Sequence, residues 1–412
     1  MTALIFAACS PAAYAQALKS GGGSLEVSEE YASKSYSFKG FQYSVGTAIN
    51  TFYNSNVYAD KTNEQDDLIY VIQPKVTLNK DIGNLNLAFN GAGKIYRYQN
   101  FSKENKEEYN LSLLGLYASA PSWSVPLGLS TNRVVRARGT PDSNGAPLDA
   151  PVINTSELFF GLNKTFNRVG VGLKGQYSRV DFSDSALLSN PTTPIIYSDG
   201  NRDIYTGTLS LSYDLVRDSS AKSNYKFFTN LSVGQHDFDK NAYTAGGFNG
   251  RNRDKISQSI LSGLDVNYKN FVFGKVGVGY SSAEYDDSTL NSQEALIAEA
   301  NLSYIINPKF ILGTTVDRRI NIDEIVQGNY EFSTSYELQH NLYLNSSLLY
   351  STYEFTDIAR EDKDYGIETD LIYYQGPNWS GGLDLGYYWH DSTNAANEYD
   401  RYVIGLRLNG KL

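Results

Sequence analysis

The sequence predicts an all-β protein, a transmembrane antiparallel up-and-down β-barrel of about 18 strands (roughly 16–18). Three observations predict this fold. From Gly40 to Leu412, segments with one apolar and one polar face follow one another. The breaks between the segments alternate between short and long. The 412 residues include 33 Tyr and 35 Gly but one Met and one Cys, a composition that suits strands and turns better than long helices.

The N-terminal residues predict export from the cytoplasm. Residues 1–15 have the anatomy of a signal peptide, because Leu4 to Cys9 form a short apolar core and Ala13-Tyr14-Ala15 is an A-x-A cleavage signal. An alternative is that Cys9 is a lipoprotein acceptor, although Phe6 suits that signal poorly. Residues 16–39 contain SGGGS and mixed charges, which predicts a flexible periplasmic tail before a barrel of residues 40–412.

The breaks between segments predict which end of the barrel faces which side of the membrane. The short breaks run from residues 80–84 to residues 375–378 and are rich in turn residues. The long breaks run from residues 60–66 to residues 392–398 and are more polar. Outer-membrane barrels have short periplasmic turns and longer outer loops. Both chain ends are therefore expected on the periplasmic side.

The last segment, DRYVIGLRLNGKL at residues 400–412, shows the two-faced pattern most simply. Its apolar residues recur at every second position, at Tyr402, Ile404, Leu406, Leu408 and Leu412. A second sheet or lipid must cover that face. Because about seventeen earlier segments share the pattern, we expect lipid. We also expect this strand to close the barrel against the first one, near residues 41–53, and to leave no free edge.

The polar faces are expected to line a water-filled lumen. For example, Leu85, Leu87 and Phe89 share one parity, whereas Asn86 and Asn90 share the other. Charged residues of the polar faces and the adjoining loop are the candidates for lining the pore: Lys94, Arg136, Arg138, Lys174, Asp265, Lys275, Glu299, Arg319, Glu331, Glu337, Glu368, Asp370, Asp384 and Arg407. They could hold or screen a passing solute. The alternative is that they only pair with one another across neighbouring strands.

Two further groups of lumen residues could contact a solute. Arg133, Arg136 and Arg138 precede the loop of residues 139–154. If that loop folds inward, they could form a basic constriction that attracts an acidic sugar. Inward-facing tyrosines could stack against sugar rings, at Tyr96, Tyr343 and Tyr388.

Trp379 and Trp389 are predicted to mark the two aromatic girdles. They share the apolar parity of their segment and are ten residues apart. That spacing is about 33 Å along a strand, or about 25 Å of height after a tilt of about 40°. It matches the distance between girdles, where Trp is preferred. The alternative is a pair of ordinary core tryptophans.

The sequence indicates no catalytic centre, no metal site and no cofactor. It has three His residues, His236, His340 and His390. An Asp follows two of them, but adjacent residues of a strand point to opposite faces, so neither Asp can orient its neighbour. Nucleophile-elbow, zinc-protease and phosphate-loop motifs do not occur. The net charge of −10 argues against a nucleic-acid partner.

Three stretches of the C-terminal third resemble the putative β-barrel porin 2 family. The first is NLSYIINPKFILGTTVDRRI at residues 301–320, with an N-P turn before a strand that ends in Arg. The second is FTDIAREDKDYGIETDLIYY at residues 355–374, with an R-x-D-x-x-Y strand entry. The third is WSGGLDLGYYWHDSTNAANEYDRYVIGLRLNGKL at residues 379–412, with Y-D-R before the last strand. The chain departs from the usual barrel pattern at Leu412, where an aromatic residue is common.

The strand and loop pattern, together with this resemblance, predicts a monomeric pore in the outer membrane of a Gram-negative bacterium, surrounded by lipid. The resemblance further implies export of exopolysaccharide or capsular polysaccharide through the pore. A periplasmic polysaccharide-export protein would then dock on the short-turn side or on the tail. The alternative is a general or substrate-selective diffusion porin for small solutes.

Overall fold

Eighteen antiparallel strands form a closed barrel in the computed structural model, as the sequence predicts. The structure describes residues 25, 30–31, 36–120, 122–141, 148–186, 192, 194–218, 223–239, 252–355 and 360–411. The barrel strands are β1 (Phe41–Asn54), β2 (Asp67–Ile82), β3 (Leu85–Tyr98), β4 (Lys106–Ala120), β5 (Trp123–Val135), β6 (Val152–Phe166), β7 (Val169–Phe182), β8 (Arg202–Asp218), β9 (Ser223–Phe238), β10 (Lys255–Tyr268), β11 (Val272–Tyr285), β12 (Gln293–Asn307), β13 (Phe310–Ile320), β14 (Val326–Gln339), β15 (Leu342–Glu354), β16 (Glu361–Tyr374), β17 (Trp379–Ser392) and β18 (Tyr399–Lys411).

Each strand pairs with its neighbours in sequence, and β18 closes the barrel against β1. The closing register runs from Gly46 opposite Lys411 to Asn54 opposite Val403. The other edge of β1 pairs with β2. The predicted partner of the last strand is therefore confirmed, and closure leaves neither terminal barrel strand with an unpaired edge.

Short turns and long loops alternate around the barrel, as predicted. Gly83–Asn84 joins β2 to β3, and Asn167–Arg168 joins β6 to β7. Gly83 has a φ of 58° and Asn167 a φ of 55°, which suits two-residue hairpins, whose twist requires positive φ. At the other end, long connections include residues 55–66, 136–151 and 183–201. We call these two ends the turn side and the loop side.

The outward face of the barrel is apolar and exposed. Leu296, Val278 and Leu406 have 71%, 68% and 65% of their surface exposed. Single exposed apolar side chains are ordinary, but a band of them around a whole sheet is a surface that lipid covers. Within the described residues, no helix is both long and apolar enough to cross a membrane.

The chain before β1 is described at a few points. The predicted signal peptide, residues 1–15, lies outside the described residues, as does most of the predicted tail of residues 16–39. Within that tail, the short strand Tyr36–Phe38 pairs with the start of β1. The Leu25 N–H donates a hydrogen bond to Ser335 Oγ at 3.2 Å, and the Tyr31 ring lies 6.5 Å from that of Tyr374. Two points of the tail therefore touch inward-facing side chains.

Candidate functional site: the lumen and its loop-side mouth

The lumen wall consists of the inward-facing residues, which alternate along each strand with the apolar residues that face outward. Asp384, for instance, lies between Leu383 and Leu385, and Leu385 is exposed on the outside. The register places all the predicted strand residues on this inward parity: Lys94, Lys174, Asp265, Lys275, Glu299, Arg319, Glu331, Glu337, Glu368, Asp370, Asp384 and Arg407. Their side chains therefore face the space that a solute would cross.

Most of these charges have partners on the wall itself. Arg407 Nη2 lies 2.6 Å from Asp384 Oδ1 and 3.7 Å from Asp370 Oδ2, and Lys275 forms an ion pair with Glu299. Further contacts are Arg319 with Asp317, Glu368 with Tyr388, Glu331 with Ser347, Glu337 with Lys309, and Lys174 with Gln176. Cross-strand pairing thus accounts for many of them without any solute.

The three tyrosines predicted to stack against sugar are already in contact with protein groups. Tyr343 has 3% of its surface exposed, and its ring packs edge-on against Tyr374. The Tyr388 hydroxyl donates to Glu368 at 2.6 Å. Lys106 Nζ lies 4.8 Å from the centre of the Tyr96 ring. A sugar ring would have to displace these contacts in order to stack.

The loop between β13 and β14, residues 321–325, forms a charged hub at the loop side. Glu324 Oε1 accepts a hydrogen bond from Lys255 Nζ at 2.6 Å, and Glu324 Oε2 accepts one from Arg253 Nη2 at 2.9 Å. The Tyr285 hydroxyl donates to the same carboxylate at 3.2 Å, and Gln293 Nε2 donates to the Glu324 carbonyl oxygen. These partners lie at the loop-side ends of β10, β11 and β12, so the loop is tied to their inner wall.

The same loop reaches the opposite part of the mouth. Asp323 forms an ion pair with Arg136, which is 187 positions away along the chain and follows β5. Arg202 Nη2 donates to the Ile322 carbonyl oxygen at 2.6 Å. Ile322 also packs against an apolar cluster formed by Ile153, Val180, Phe182, Ile195 and Tyr197. Ion pairs and apolar contacts together therefore hold residues 321–325 across the loop-side mouth.

A second set of contacts covers the mouth beside β18. Arg138 donates two hydrogen bonds to Glu104, at 3.0 Å and 2.7 Å, and a third to the Leu148 carbonyl oxygen. The Tyr399 hydroxyl donates to the Gly139 carbonyl oxygen at 3.4 Å. The chain segment from Arg136 to Gly139 thus contacts both sides of the mouth.

The basic constriction expected from Arg133, Arg136 and Arg138 differs from the observed mouth in two ways. Arg136 and Arg138 do lie at the mouth, but Asp323 and Glu104 neutralise them. Arg133 was wrongly expected to join them, since it has the outward parity of Leu129 and lies opposite Tyr109. Its Nε donates to the Glu107 carbonyl oxygen instead.

The charge state of Glu324 follows from its surroundings. Burial alone would raise its pKa, but Lys255, Arg253 and Arg202 together outweigh burial and hold the pKa of Glu324 well below its usual range. The carboxylate is therefore ionised at neutral pH, and the hub is a set of charge pairs.

His390 has two carboxylate neighbours that the sequence analysis did not anticipate. Its Nδ1 lies 2.5 Å from Asp364 Oδ1, and its Nε2 lies 3.6 Å from Asp362 Oδ2. Both carboxylates belong to β16, the neighbouring strand, whereas the adjacent Asp391 points outward. Among the described residues, no group of three or more His, Cys, Asp or Glu side chains could hold a metal ion.

Trp379 and Trp389 both lie on the outward face of β17, near its two ends. The Trp389 ring stacks on Tyr365 at 5.0 Å with an interplanar angle of 8°, and it lies 5.5 Å from the Tyr387 ring. The row continues to Tyr350, whose ring is 5.1 Å from that of Tyr365. A row of rings at the loop side is the arrangement expected of an aromatic girdle.

Replacing Trp389 with alanine should destabilise the barrel more than replacing Trp379. Trp389 loses two ring contacts, each worth about 0.5–1.5 kcal/mol beyond area burial, so the excess should be about 1–3 kcal/mol. Trp379 has no ring contact among the described residues and serves as the matched control. Urea unfolding of both variants in phospholipid vesicles measures the difference. Equal losses would mean that the rings act only as separate interfacial anchors.

A cavity of about 580 Å³ opens into the lumen beside the pair formed by β1 and β18. We call it the seam cavity. Its lumen-facing lining is mostly polar and includes Lys75, Lys94, Asn110, Asn132, Asn409 and Lys411. Ala48 and Ala92 leave room between these longer side chains. The cavity is therefore a place on the wall where a polar solute could be held.

Sequence reasoning located the wall residues but missed most of the mouth. The mouth residues it missed are Arg202, Arg253, Lys255, Asp323 and Glu324. They belong to no motif, and Glu324 is separated from Lys255 by 69 positions. The one available signal was an acidic pair in a loop of five residues.

Comparison with known proteins identifies the family and little else. The model of the putative beta-barrel porin 2 family matches residues 41–412, which confirms the resemblance found in the sequence. No curated protein matches the chain. Among solved structures, the outer membrane protein OpdK of Pseudomonas aeruginosa has a TM-score of 0.44 at 10% identity, over 90% of this chain and 99% of its own. OpdL of the same organism has a TM-score of 0.45 at 9% identity, and OpdQ has 0.45 at 11%, each over 91% of this chain and 99% of its own. Scores this low say nothing about what passes through this barrel.

Proposed function

The chain belongs to the putative beta-barrel porin 2 family, and from that membership we propose that it is a passive conduit through which a polysaccharide is exported. It is an outer-membrane β-barrel with a porin-like fold. The carrying observation is the polar wall of the lumen, where amide, hydroxyl and charged side chains face the passage along the strands. Such groups exchange hydrogen bonds with sugar hydroxyl groups as readily as with water.

Under this proposal the protein supplies a path and no catalysis. Wall charges such as Arg407 and Asp384 neutralise each other, so a long polar chain meets few isolated charges that would hold it fast. A periplasmic export protein would deliver the polysaccharide at the turn side. The loop-side contacts would have to part for a polymer to leave.

Deleting the gene is expected to abolish surface polysaccharide and to leave small-nutrient uptake unchanged. The measurements are staining of cell-bound polysaccharide and growth on limiting nutrients. Restoring the full chain from a plasmid is the control and should return the polysaccharide. Normal polysaccharide in the deletion strain would overturn the proposal.

A second candidate, a diffusion porin for small solutes, is favoured by the bridged mouth. Arg136 contacts Asp323 and Arg138 contacts Glu104, which narrows the loop-side exit. A porin of this kind would admit small sugars in a liposome-swelling assay and would leave surface polysaccharide unaffected by deletion. The two candidates therefore predict opposite results when surface polysaccharide is stained in the deletion strain.

A further inference from the structure

Three lysines in the seam cavity have no acidic partner among the residues that the structure describes. Lys75, Lys94 and Lys411 are exposed residues of inward parity, and none forms an ion pair with another described residue. Elsewhere on the wall, Lys275 is neutralised by Glu299 and Arg407 by Asp384. Like charges left together cost stability. Residues that break a local rule in this way are expected at functional sites.

The register brings two of these lysines to either side of a glycine. Lys411 and Lys75 both lie opposite Gly46, one on each neighbouring strand. Adjacent strands are about 4.8 Å apart, so the two lysine backbones are about 10 Å apart with no side chain between them. A Cβ at Gly46 would lie 3.2 Å from the Gly410 carbonyl oxygen and 3.3 Å from Lys411 Cγ. The glycine leaves room for both ammonium groups to reach one ligand.

Glu108, the one carboxylate among the described residues that line the cavity, does not cancel this charge. Glu108 faces Lys94 in the register, but it lies 3.7 Å from Lys106 Nζ. Its other oxygen accepts a long hydrogen bond from the Tyr96 hydroxyl at 3.5 Å. Because Glu108 pairs with Lys106, it leaves the ammonium groups of Lys75, Lys94 and Lys411 available to bind an anionic ligand.

The remaining polar groups of the cavity are amides. Asn110 and Asn132 lie opposite each other on β4 and β5, and Asn409 donates to Ser380 Oγ at 3.0 Å, which leaves its carbonyl oxygen available. Amides both donate and accept, as sugar hydroxyl groups do. Ammonium groups bind carboxylates through charge-assisted hydrogen bonds. Cations and amides in one cavity are complementary to a sugar that carries a carboxylate.

We infer that the seam cavity is a subsite for the acidic sugar unit of a carboxylated polysaccharide, held by Lys75, Lys94 and Lys411. The inference rests on the proposed function in taking a polysaccharide as the solute, and it deepens that proposal by naming the class. A chain with regularly spaced carboxylates would exchange one unit for the next at this site. Three lysines without a permanent counter-ion allow such exchange.

The test is current block of the purified full-length protein in a planar bilayer, with hexagalacturonate added to the turn side. The variant is Lys75→Gln/Lys94→Gln/Lys411→Gln. Its half-blocking concentration should rise at least about tenfold, because charge-assisted hydrogen bonds are lost. Block of the unmodified protein should also weaken as KCl is raised from about 0.1 M to 1 M, because salt screens the lysines.

Three controls make this result specific. The variant Lys39→Gln/Lys103→Gln/Lys269→Gln removes the same charge from exposed positions in turns and loops outside the barrel strands, and should be blocked like the unmodified protein. Neutral maltohexaose should block both forms equally and weakly. Unaltered block of the seam variant, or equal block by maltohexaose or inorganic phosphate, would overturn the inference. Heat-modifiable migration on gels verifies that each variant is folded.

The failure of this inference and that of the proposed function are distinguishable. If current block depends on the three lysines but the deletion strain keeps its surface polysaccharide, the subsite is supported and the export role is refuted. If deletion abolishes the polysaccharide but current block does not depend on the three lysines, the export role is supported and the subsite is refuted.

Discussion

Replacing Glu324 with glutamine is expected to release residues 321–325 from the loop-side mouth and to raise the conductance of the pore. Glutamine keeps the size of the side chain but removes the charge that Lys255 and Arg253 share. The Glu324 and Lys255 side chains are 14% and 4% exposed. Removing one partner of a buried ion pair costs about 3–5 kcal/mol, because the other charge is left unpaired.

Single-channel recording in a planar bilayer measures the effect as a larger fraction of time in a high-conductance state. The matched control is Glu64→Gln, since Glu64 is an exposed carboxylate in the loop of residues 55–66 and has no described partner. It should behave like the unmodified protein. If Glu324→Gln conducts no differently from Glu64→Gln, residues 321–325 are not the barrier at the mouth.

The same carboxylate predicts how the pore responds to pH. The cations hold the pKa of Glu324 well below its usual range, whereas in a released loop it would be about 4.3. The stabilisation is thus fully present above about pH 4.3 and is lost as pH falls through the lower pKa of the bound state. Conductance should therefore be constant between about pH 7 and 5 and should rise only in stronger acid. An opening transition near pH 6 would point to another group.

Placing arginine at Leu406 should destabilise the barrel by about 2–4 kcal/mol if the site lies near the middle of the bilayer. Leu406 has 65% of its surface exposed, on the outer face of β18. In the membrane that surface meets hydrocarbon, where a guanidinium group is poorly solvated. Urea unfolding in phospholipid vesicles gives the free energy directly.

The matched substitution is Ser112→Arg, on the inward parity of β4 opposite Ser130. An arginine there enters the polar lumen within reach of Glu157, which accepts a hydrogen bond from Ser130, and should change stability little. Equal losses for the two variants would show that the inward and outward faces have been assigned the wrong way round.

The barrel could be predicted because its signal is local. The alternation of apolar and polar residues along a strand assigns each side chain to the outer or the inner face. The alternation of short turns and long loops shows which end of each strand lies at which end of the barrel. Closure near residues 41–53 followed from the requirement that no edge remain free. Even the error at Arg133 was avoidable, because the parity of Leu127 and Leu129 already places it outside.

The mouth could not be predicted because its contacts are non-local. Nothing near Glu324 in sequence indicates that Lys255 and Arg253 will meet it, since loop conformation decides where the carboxylate goes. The same holds for His390, whose partners Asp362 and Asp364 come from the neighbouring strand. Cross-strand neighbours follow from the register, and register depends on the whole hairpin. Of the seam lysines, Lys75 and Lys94 lie on the paired strands β2 and β3, and closure of β18 against β1 brings Lys411 to them.

The pairing of β18 with β1 also governs how the molecule can form. The Tyr402 N–H donates to Ser55 Oγ across 347 positions of the chain, so this contact closes nearly the largest loop that the protein contains. Long-range pairing is slow to form, and until it forms, both ends of the sheet present unsatisfied backbone groups that hydrocarbon does not tolerate. The growing sheet must therefore be shielded at two edges at once during insertion. The seam cavity, whose walls come from both ends of the chain, exists only after that last step.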